Sequence, residues 1–165
     1  MATVTLKGNT CHTNGDLPRV GDQAPQFTLT NSKLEDVPLE AWRGRKKLIS
    51  IFPSIDTPVC AISTKKFNDY ARDNSDTVML MVSADLPFAQ ARFCGSEELE
   101  NVHTLSTMRS RFAEDYGLLL KDGPLAGLTA RAVLVLDEND GVRHVELVAE
   151  IAEEPNYEAA IAALS

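Results

Sequence analysis

Long apolar segments are absent from this sequence. No run approaches the roughly 20 apolar residues that a membrane-spanning helix needs, and the first ten residues, MATVTLKGNT, lack the apolar region of a signal peptide. These absences exclude an integral membrane protein and argue against secretion. We therefore expect a soluble, cytoplasmic protein without a membrane partner.

Basic residues are also few. The chain carries 16 Lys and Arg against 24 Asp and Glu, which gives a net charge of −8 and an isoelectric point near 4.8. Nucleic-acid binding needs clustered cations that neutralise phosphates, so we expect no nucleic-acid partner. One short cluster, at 43–47, precedes an apolar segment and is interpreted as a solvated turn.

Metal and nucleotide motifs are missing as well. The three histidines, His12, His103 and His144, have no ligand-like spacing to one another or to the cysteines. No P-loop and no G-x-G-x-x-G pattern is present. We therefore expect neither a metal nor a cofactor.

Cysteine occurs only three times, as Cys11, Cys60 and Cys94. In a reducing compartment these residues are poor candidates for permanent disulfides, so a catalytic or redox role gains weight.

The residues that are present indicate one α/β domain. With 165 residues, of which 44% are hydrophobic, the chain is long enough for a full core, and we take 1–165 as a single domain. VTL and TCHT around a Gly8-Asn9 turn predict an N-terminal β-hairpin extension within 1–16. KLISIF predicts a buried strand, a helix follows from Pro58, and TVMLMVSA at 77–84 predicts a second strand, which together form a right-handed βαβ unit. On that helix Val59, Ile62 and Phe67 are expected to face the core.

The remainder of the chain completes a layered pattern. QFTLT and NVHTLS predict further strands, and ARAVLVLD and VRHVELVA predict an antiparallel hairpin around END-Gly141. Helical patterns occur in LEAWRG, LPFAQARF, MRSRFAEDYG and the terminal NYEAAIAAL. This order resembles the thioredoxin-like arrangement, a central mixed β-sheet flanked by helices.

The stretch SIDTPVC has the features of a reactive cysteine site. Pro58 suits the first helical position, and Asp56 or Thr57 can cap the helix. Cys60 then lies in the first turn, where unpaired N–H groups and the helix dipole favour a thiolate. The Thr57 hydroxyl lies on the same side, and Pro53 provides an apolar wall. The alternative is that Cys60 is only a small core residue.

Several motifs carry a resemblance to a known family. Pro53-x-x-x-Thr57-x-x-Cys60, SIFPSIDT, SADLPFAQARFCG and DGPLAGLTARAV resemble the thiol peroxidase subfamily of bacterial peroxiredoxins, and the similarity covers nearly the whole chain. The resemblance implies an antioxidant peroxidase in which Cys60 attacks hydrogen peroxide or an alkyl hydroperoxide and becomes a sulfenic acid. Thr57 would hold the peroxide, and Pro53 would shield the thiolate.

Arg131 would match the family arginine that stabilises the thiolate. An arginine beside an apolar strand is costly unless an anion pairs with it, which agrees with that role. Its alternative is a surface salt bridge.

The resemblance also assigns Cys94 as the resolving cysteine, which forms an intrachain disulfide with Cys60 that thioredoxin reduces. Because a disulfide requires close Cα atoms, we expect the turn at Cys60 and the 87–96 segment to unwind in each cycle. Cys11 lies outside this pattern and is interpreted as structural or incidental, with an additional redox role as the alternative. A homodimer is also implied by the resemblance.

Two other functions remain open on the residues alone. Cys60-Ala-Ile-Ser63 is a C-x-x-S pattern, as in monothiol glutaredoxin-like proteins. A non-catalytic thioredoxin-fold binding module is the third possibility, although it would not need Thr57, Cys60 and Arg131 together.

Overall fold

The computed structural model describes all residues from Met1 to Ser165. Nine strands form two sheets, a two-stranded N-terminal sheet of β1 and β2 and a seven-stranded sheet with the order β4-β3-β7-β6-β5-β8-β9. The strands are β1 (Thr3–Leu6), β2 (Asn9–His12), β3 (Thr28–Thr30), β4 (Asp36–Pro38), β5 (Lys46–Ile51), β6 (Thr77–Ser83), β7 (His103–Ser106), β8 (Ala132–Leu136) and β9 (Val142–Leu147).

Four α-helices accompany the strands: α1 (Pro58–Asp73), α2 (Pro87–Ser96), α3 (Phe112–Asp115) and α4 (Tyr157–Ala162). A single 3-10 turn, Leu39–Trp42, lies where LEAWRG predicted a short helix. None of the helices combines the length and the apolar character needed to cross a bilayer.

The large sheet is mixed and is covered on both faces. Strands β5, β6 and β7 run parallel, whereas β8, β9 and β3 pair antiparallel with their neighbours. Side chains alternate along β6: Val78, Leu80 and Val82 join one apolar cluster, and Met79 and Met81 join the other. This confirms the predicted thioredoxin-like mixed sheet and explains why its strands are apolar without alternation.

The N-terminal hairpin is present, but its turn lies one residue earlier than predicted. Lys7 and Gly8 both have positive φ, 50° and 82°, and β2 already begins at Asn9. A two-residue turn of this kind needs positive φ at both central positions, and Gly8 adopts it without the steric cost of a Cβ. The hairpin docks through backbone bonds from Thr5 N to Ala149 O and from Ile151 N to Thr5 O, both 2.8 Å.

Helix α1 is rotated relative to the sequence prediction. Ile62 is 45% exposed, and Val59 is only half-buried, so neither is a core residue, whereas Phe67 is buried as expected. Ser63 and Thr64 are buried in their place because both hydroxyls are satisfied. Ser63 Oγ pairs with the Tyr157 hydroxyl at 2.9 Å, and Thr64 Oγ1 donates to the Cys60 carbonyl at 2.8 Å.

The basic cluster at 43–47 is a solvated turn only in part. Lys47 is fully buried, and its Nζ lies 2.7 Å from Asp140 Oδ1, whose residue is equally buried. The ammonium also donates to the Trp42 and Arg45 carbonyls, at 3.1 and 2.8 Å. Composition could not show this ion pair because its partner lies far away in the sequence.

Candidate active site

Cys60 lies in the first turn of α1, directly behind the carboxyl end of β5. The connection after β5 passes through Phe52 and Pro53, both buried, and α1 begins at Pro58, where the missing N–H leaves no helical bond unmade. Cys60 itself is 0% exposed. Strand, loop and helix therefore place the sulfur at the sheet edge, beside the positive end of a 16-residue helix.

The Thr57 hydroxyl contacts the sulfur and does not cap the helix. Its Oγ1 lies 2.6 Å from Cys60 Sγ and 2.9 Å from the Ser54 carbonyl oxygen. Thr57 occupies the N-cap position, but no side chain there accepts a helix N–H, and Asp56 is exposed. The capping interpretation was therefore wrong, because the hydroxyl is turned toward the sulfur.

Arg131, the residue directly before β8, contacts the same sulfur. Its Nη1 donates to Cys60 Sγ at 3.1 Å, and its Nε donates to the Ile151 carbonyl at 2.8 Å. The residue is 3% exposed, so the surface salt-bridge alternative does not describe it. Burying a guanidinium costs free energy, and its hydrogen bond to a sulfur offsets this cost best when the sulfur carries a negative charge.

A cavity of about 370 Å³ adjoins these groups. Pro53, Thr57 and Arg131 line it, and its wall exposes mostly apolar atoms. The other lining residues are Leu6, Lys7, Pro58, Val59, Leu125, Ile151 and Ala152. Leu6 and Lys7 come from the N-terminal hairpin, a contribution that the sequence motifs did not reveal. The cavity gives a small ligand a route to the two groups that touch the sulfur.

Cys94 lies inside α2, not after it, and lines a separate pocket. This pocket, of about 400 Å³, also contains Trp42, His103 and Thr104. Burial raises the pKa of the Cys94 thiol above its ordinary value of 9.0, against a smaller opposite effect of the Thr104 hydroxyl. Cys60 and Cys94 are both free thiols, and no disulfide joins them in this conformation.

Cys11 and the histidines lie apart from this site. Cys11 is 1% exposed and belongs to the core cluster under the hairpin. Its Sγ packs so closely on Gly123 that a Cβ there would come within 2.9 Å. No three His, Cys, Asp or Glu side chains are arranged as metal ligands.

Comparison with known proteins places this geometry in a family. Residues 19–161 match the Redoxin family. Thiol peroxidases of Mycobacterium bovis and Mycobacterium tuberculosis are 54% identical to the chain over 164 residues, which covers 99% of each protein. The chain belongs to the thiol peroxidases, within the peroxiredoxins.

Solved structures agree with this membership. A peroxiredoxin-like protein from Aquifex aeolicus superposes with a TM-score of 0.92 at 41% identity, covering 99% of this chain and 96% of that one. A thiol peroxidase from Chromobacterium violaceum gives 0.91 at 26% identity, with coverage of 98% and 94%. This thiol peroxidase is therefore an oxidoreductase, as the resemblance implied, and not a binding module.

The glutaredoxin-like alternative is excluded by the family membership and also by the environment of Ser63. Ser63, the last residue of the C-x-x-S pattern, directs its hydroxyl to Tyr157. Tyr157 in turn donates to Glu154 Oε1 at 2.7 Å. The serine of this thiol peroxidase is thus a packing element of α1.

Sequence reasoning missed a further group beside the site. Asp85 follows β6 and accepts hydrogen bonds from Ser54 Oγ and the Ile55 N–H, at 2.8 and 2.6 Å. An acidic residue two positions beyond a buried strand was the available signal, because the carboxyl ends of neighbouring parallel strands meet at one edge.

Proposed function

We propose that this thiol peroxidase reduces hydrogen peroxide and alkyl hydroperoxides through Cys60, is resolved by Cys94 and is returned to the reduced state by thioredoxin. The observation that carries the proposal is the contact of Cys60 Sγ with Thr57 Oγ1 at 2.6 Å and Arg131 Nη1 at 3.1 Å. Two converging donors on a buried sulfur favour the thiolate, which is the nucleophile.

In the first step the Cys60 thiolate attacks the terminal oxygen of the hydroperoxide. The S–O bond forms while the O–O bond breaks, the sulfur is oxidised to a sulfenic acid, and the leaving oxygen takes a proton to become water or an alcohol. Thr57 and Arg131 hold the reacting atoms and the negative charge. Pro53 keeps bulk water from the thiolate, and the apolar cavity wall suits an alkyl chain.

In the second step Cys94 condenses with the sulfenic acid, releasing water and forming the Cys60–Cys94 disulfide. Because Cys94 lies in its own pocket within α2, the segment 87–96 and the first turn of α1 must unwind to bring the sulfurs together. Two ion pairs flank these segments and would be strained or broken by the unwinding: Lys65 of α1 with Glu97 just after α2, at 2.6 Å, and Arg92 of α2 with Asp56 just before α1, at 3.4 Å.

In the third step a thioredoxin thiolate attacks the disulfide and both electrons return to the two cysteines. Such a thioredoxin-type reductant is general for the family.

Three assignments stay with this proposal. We expect residues 1–165 to act as one domain with the 1–16 extension, since the hairpin contributes to the cavity. We expect a homodimer, for which Ile62, Leu86 and Phe88 offer exposed apolar side chains at 45%, 55% and 66%. We also expect a cytoplasmic location, where thioredoxin would be available.

The test is a free-thiol count before and after one equivalent of an organic hydroperoxide, followed by peptide mapping. Loss of two thiols and a Cys60–Cys94 peptide would support the cycle. Loss of one thiol with Cys94 free would show that Cys94 is misassigned. No change at all would contradict the peroxidase chemistry at Cys60. Cys11→Ser is the matched control and should behave as the unmodified protein.

A further inference from the structure

We propose that Asp85 is a positioning residue for the peroxide step, which it serves by holding the loop that carries Thr57. The inference rests on the proposed function of Cys60. It extends the site to a residue that touches neither the sulfur nor the cavity and acts through hydrogen bonds to the loop 53–57.

The first observation is the set of bonds that Asp85 accepts. Its Oδ1 receives Ser54 Oγ–H at 2.8 Å, and its Oδ2 receives the Ile55 N–H at 2.6 Å and Ser83 Oγ–H at 2.6 Å. Two of the three donors belong to the catalytic loop. A carboxylate that accepts both a side-chain and a main-chain donor fixes the loop in position and in orientation.

The second observation leads from the loop to the reacting sulfur. The Ser54 carbonyl lies 2.9 Å from Thr57 Oγ1, whose other neighbour is Cys60 Sγ. Ser54 Oγ also accepts from the Asp56 N–H at 3.2 Å. The Ser54 carbonyl therefore lies against the Thr57 side chain that contacts the sulfur, and Asp85 holds Ser54 in place.

The third observation is that Asp85 is itself fixed. Its carbonyl accepts from Ser106 Oγ at 2.6 Å, at the end of β7. Ser83 Oγ, which donates to Asp85, accepts from Gln90 Nε2 at 3.0 Å, and Ser83, Gln90 and Ser106 are at most 1% exposed. A residue that positions a reactive group must itself be held to within a fraction of an ångström by hydrogen bonds from its neighbours. Asp85 thus ties the loop to the rigid ends of β6 and β7.

The experiment measures the second-order rate constant for oxidation of Cys60 by a hydroperoxide in Asp85→Asn and Asp85→Ala. The isosteric asparagine keeps one acceptor and loses the other, whereas alanine removes both. We expect the rate constant to fall in the order native, asparagine, alanine, by about 10- to 100-fold for alanine, since small misplacements of reacting groups have effects of this size.

A second readout separates positioning from folding. In Asp85→Asn, oxidation should slow while reduction of the preformed Cys60–Cys94 disulfide by dithiothreitol stays unchanged. The thermal unfolding temperature should fall only by the amount that the loss of hydrogen bonds in one loop requires, and the variant should stay folded. The matched control is Asp137→Asn, because the Asp137 carboxylate also holds a loop by hydrogen bonds, here from the Asn139 and Gly141 N–H groups at 2.8 Å, in the β8–β9 turn at the other end of the sheet from Cys60. Its oxidation rate should equal that of the unmodified protein.

An unchanged oxidation rate in a folded Asp85→Asn would overturn the proposal, and so would equal losses in oxidation, disulfide reduction and thermal stability. A different result, in which the unmodified protein itself is not oxidised at Cys60, would contradict the proposed function on which the role of Asp85 rests. Asp85→Asn preserves shape, so it keeps the test decisive even if Asp85→Ala does not fold.

Discussion

The Thr57 hydroxyl has one proton and two acceptors, the Ser54 carbonyl and Cys60 Sγ. When the sulfur is protonated, S–H can donate to Oγ1 while Oγ1–H donates to the carbonyl. When the sulfur is a thiolate, Oγ1–H turns to the sulfur. A single side chain therefore satisfies both forms of Cys60 without moving, which a residue with no hydroxyl could not do.

Replacement of Thr57 tests this directly. Thr57→Val keeps the branched shape but removes the donor, and we expect oxidation of Cys60 to slow by about 30-fold, as for the loss of one hydrogen bond of about 2 kcal/mol to a charged group. Thr57→Ser retains the hydroxyl and should stay close to the native rate. Stopped-flow oxidation with a hydroperoxide gives both numbers, and equal rates in the two variants would contradict the role of the donor.

Cys94 gives the pH-dependent prediction at the residue scale. Because burial raises the pKa of this thiol above 9.0, the neutral form persists at neutral pH while α2 is folded. In a Cys11→Ser, Cys60→Ser variant, alkylation of Cys94 by iodoacetamide should rise with pH and reach its midpoint above 9.0. The same chain in denaturant is the control and should show an ordinary midpoint. A folded-state midpoint at or below that of the denatured chain would show that burial does not govern this thiol.

At the scale of elements, local patterns predicted where the strands and helices lie better than they predicted which face of a helix is buried. The buried strands β5, β6 and β8 were predictable because each is a short, continuous apolar run between turn signals. Strand β4 was missed since its three residues, Asp36–Pro38, carry almost no pattern. The buried face of α1 was predicted wrongly because it was assigned from the spacing of apolar residues alone. Ser63 and Thr64 lie on the buried face instead, since their hydroxyl groups are hydrogen-bonded there.

The candidate site divides in the same way. Pro53, Thr57 and Cys60 lie within eight consecutive residues, so their proximity follows from one loop and one helix turn. Arg131 lies 71 positions from Cys60, and only the family resemblance pointed to it. Leu6 and Lys7 reach the site through tertiary packing, which no local spacing encodes, whereas the position of Asp85 after β6 indicated only the end of the sheet at which it lies.

The N-terminal hairpin is held in part by Glu150, and its attachment is therefore expected to depend on pH. Glu150 accepts from the Ala152 N–H at 2.9 Å, the Gly8 N–H at 2.9 Å and the Thr5 hydroxyl at 3.1 Å. These bonds, first that of Ala152 and then that of Gly8, lower the pKa of Glu150 from 4.5 to about 2. Since the folded-state pKa is depressed, the stabilisation is present above pH 4.5 and is lost as the pH falls toward 2.

We therefore expect amide protection at Thr5 and Ile151, whose N–H groups make the docking bonds, to fall between pH 4.5 and 2. Hydrogen exchange corrected for the intrinsic rate measures it. In Glu150→Gln, which cannot ionise, protection should be lower already at neutral pH and should lose this pH dependence. An identical pH profile in both proteins would assign the effect to another carboxyl group.

At the scale of the whole molecule, the buried pair Lys47–Asp140 joins distant parts of the chain. Lys47 is the second residue of β5, an interior strand of the sheet, and Asp140 lies in the β8–β9 turn with a φ of 66°. The charges are 2.7 Å apart, yet no donor meets the Asp140 oxygens with hydrogen-bond geometry, so the attraction is ionic. Burying such a pair is costly, and its presence adds little net stability over neutral groups of the same size.

Removing only one partner of the pair should be strongly destabilising, because it leaves an unpaired charge in the core. Lys47→Met should lower the free energy of unfolding by about 3–5 kcal/mol, since Asp140 loses its cation. That is a large part of the 5–15 kcal/mol that is usual for a domain of this kind. The double variant Lys47→Met, Asp140→Asn should recover much of the loss, because asparagine is neutral and tolerates the positive φ at this position.

Guanidinium unfolding of the two variants and of the native chain measures these differences. The contacts of Cys60 lie at the opposite, carboxyl end of β5, so the oxidation rate of Cys60 should be the same in all three proteins while they are folded. If the double variant is no more stable than Lys47→Met, the cost arises from packing around the methionine and not from an unpaired carboxylate. If Lys47→Met unfolds like the native chain, Asp140 has become neutral or has reached water, and the pair does not hold β5 to the β8–β9 turn.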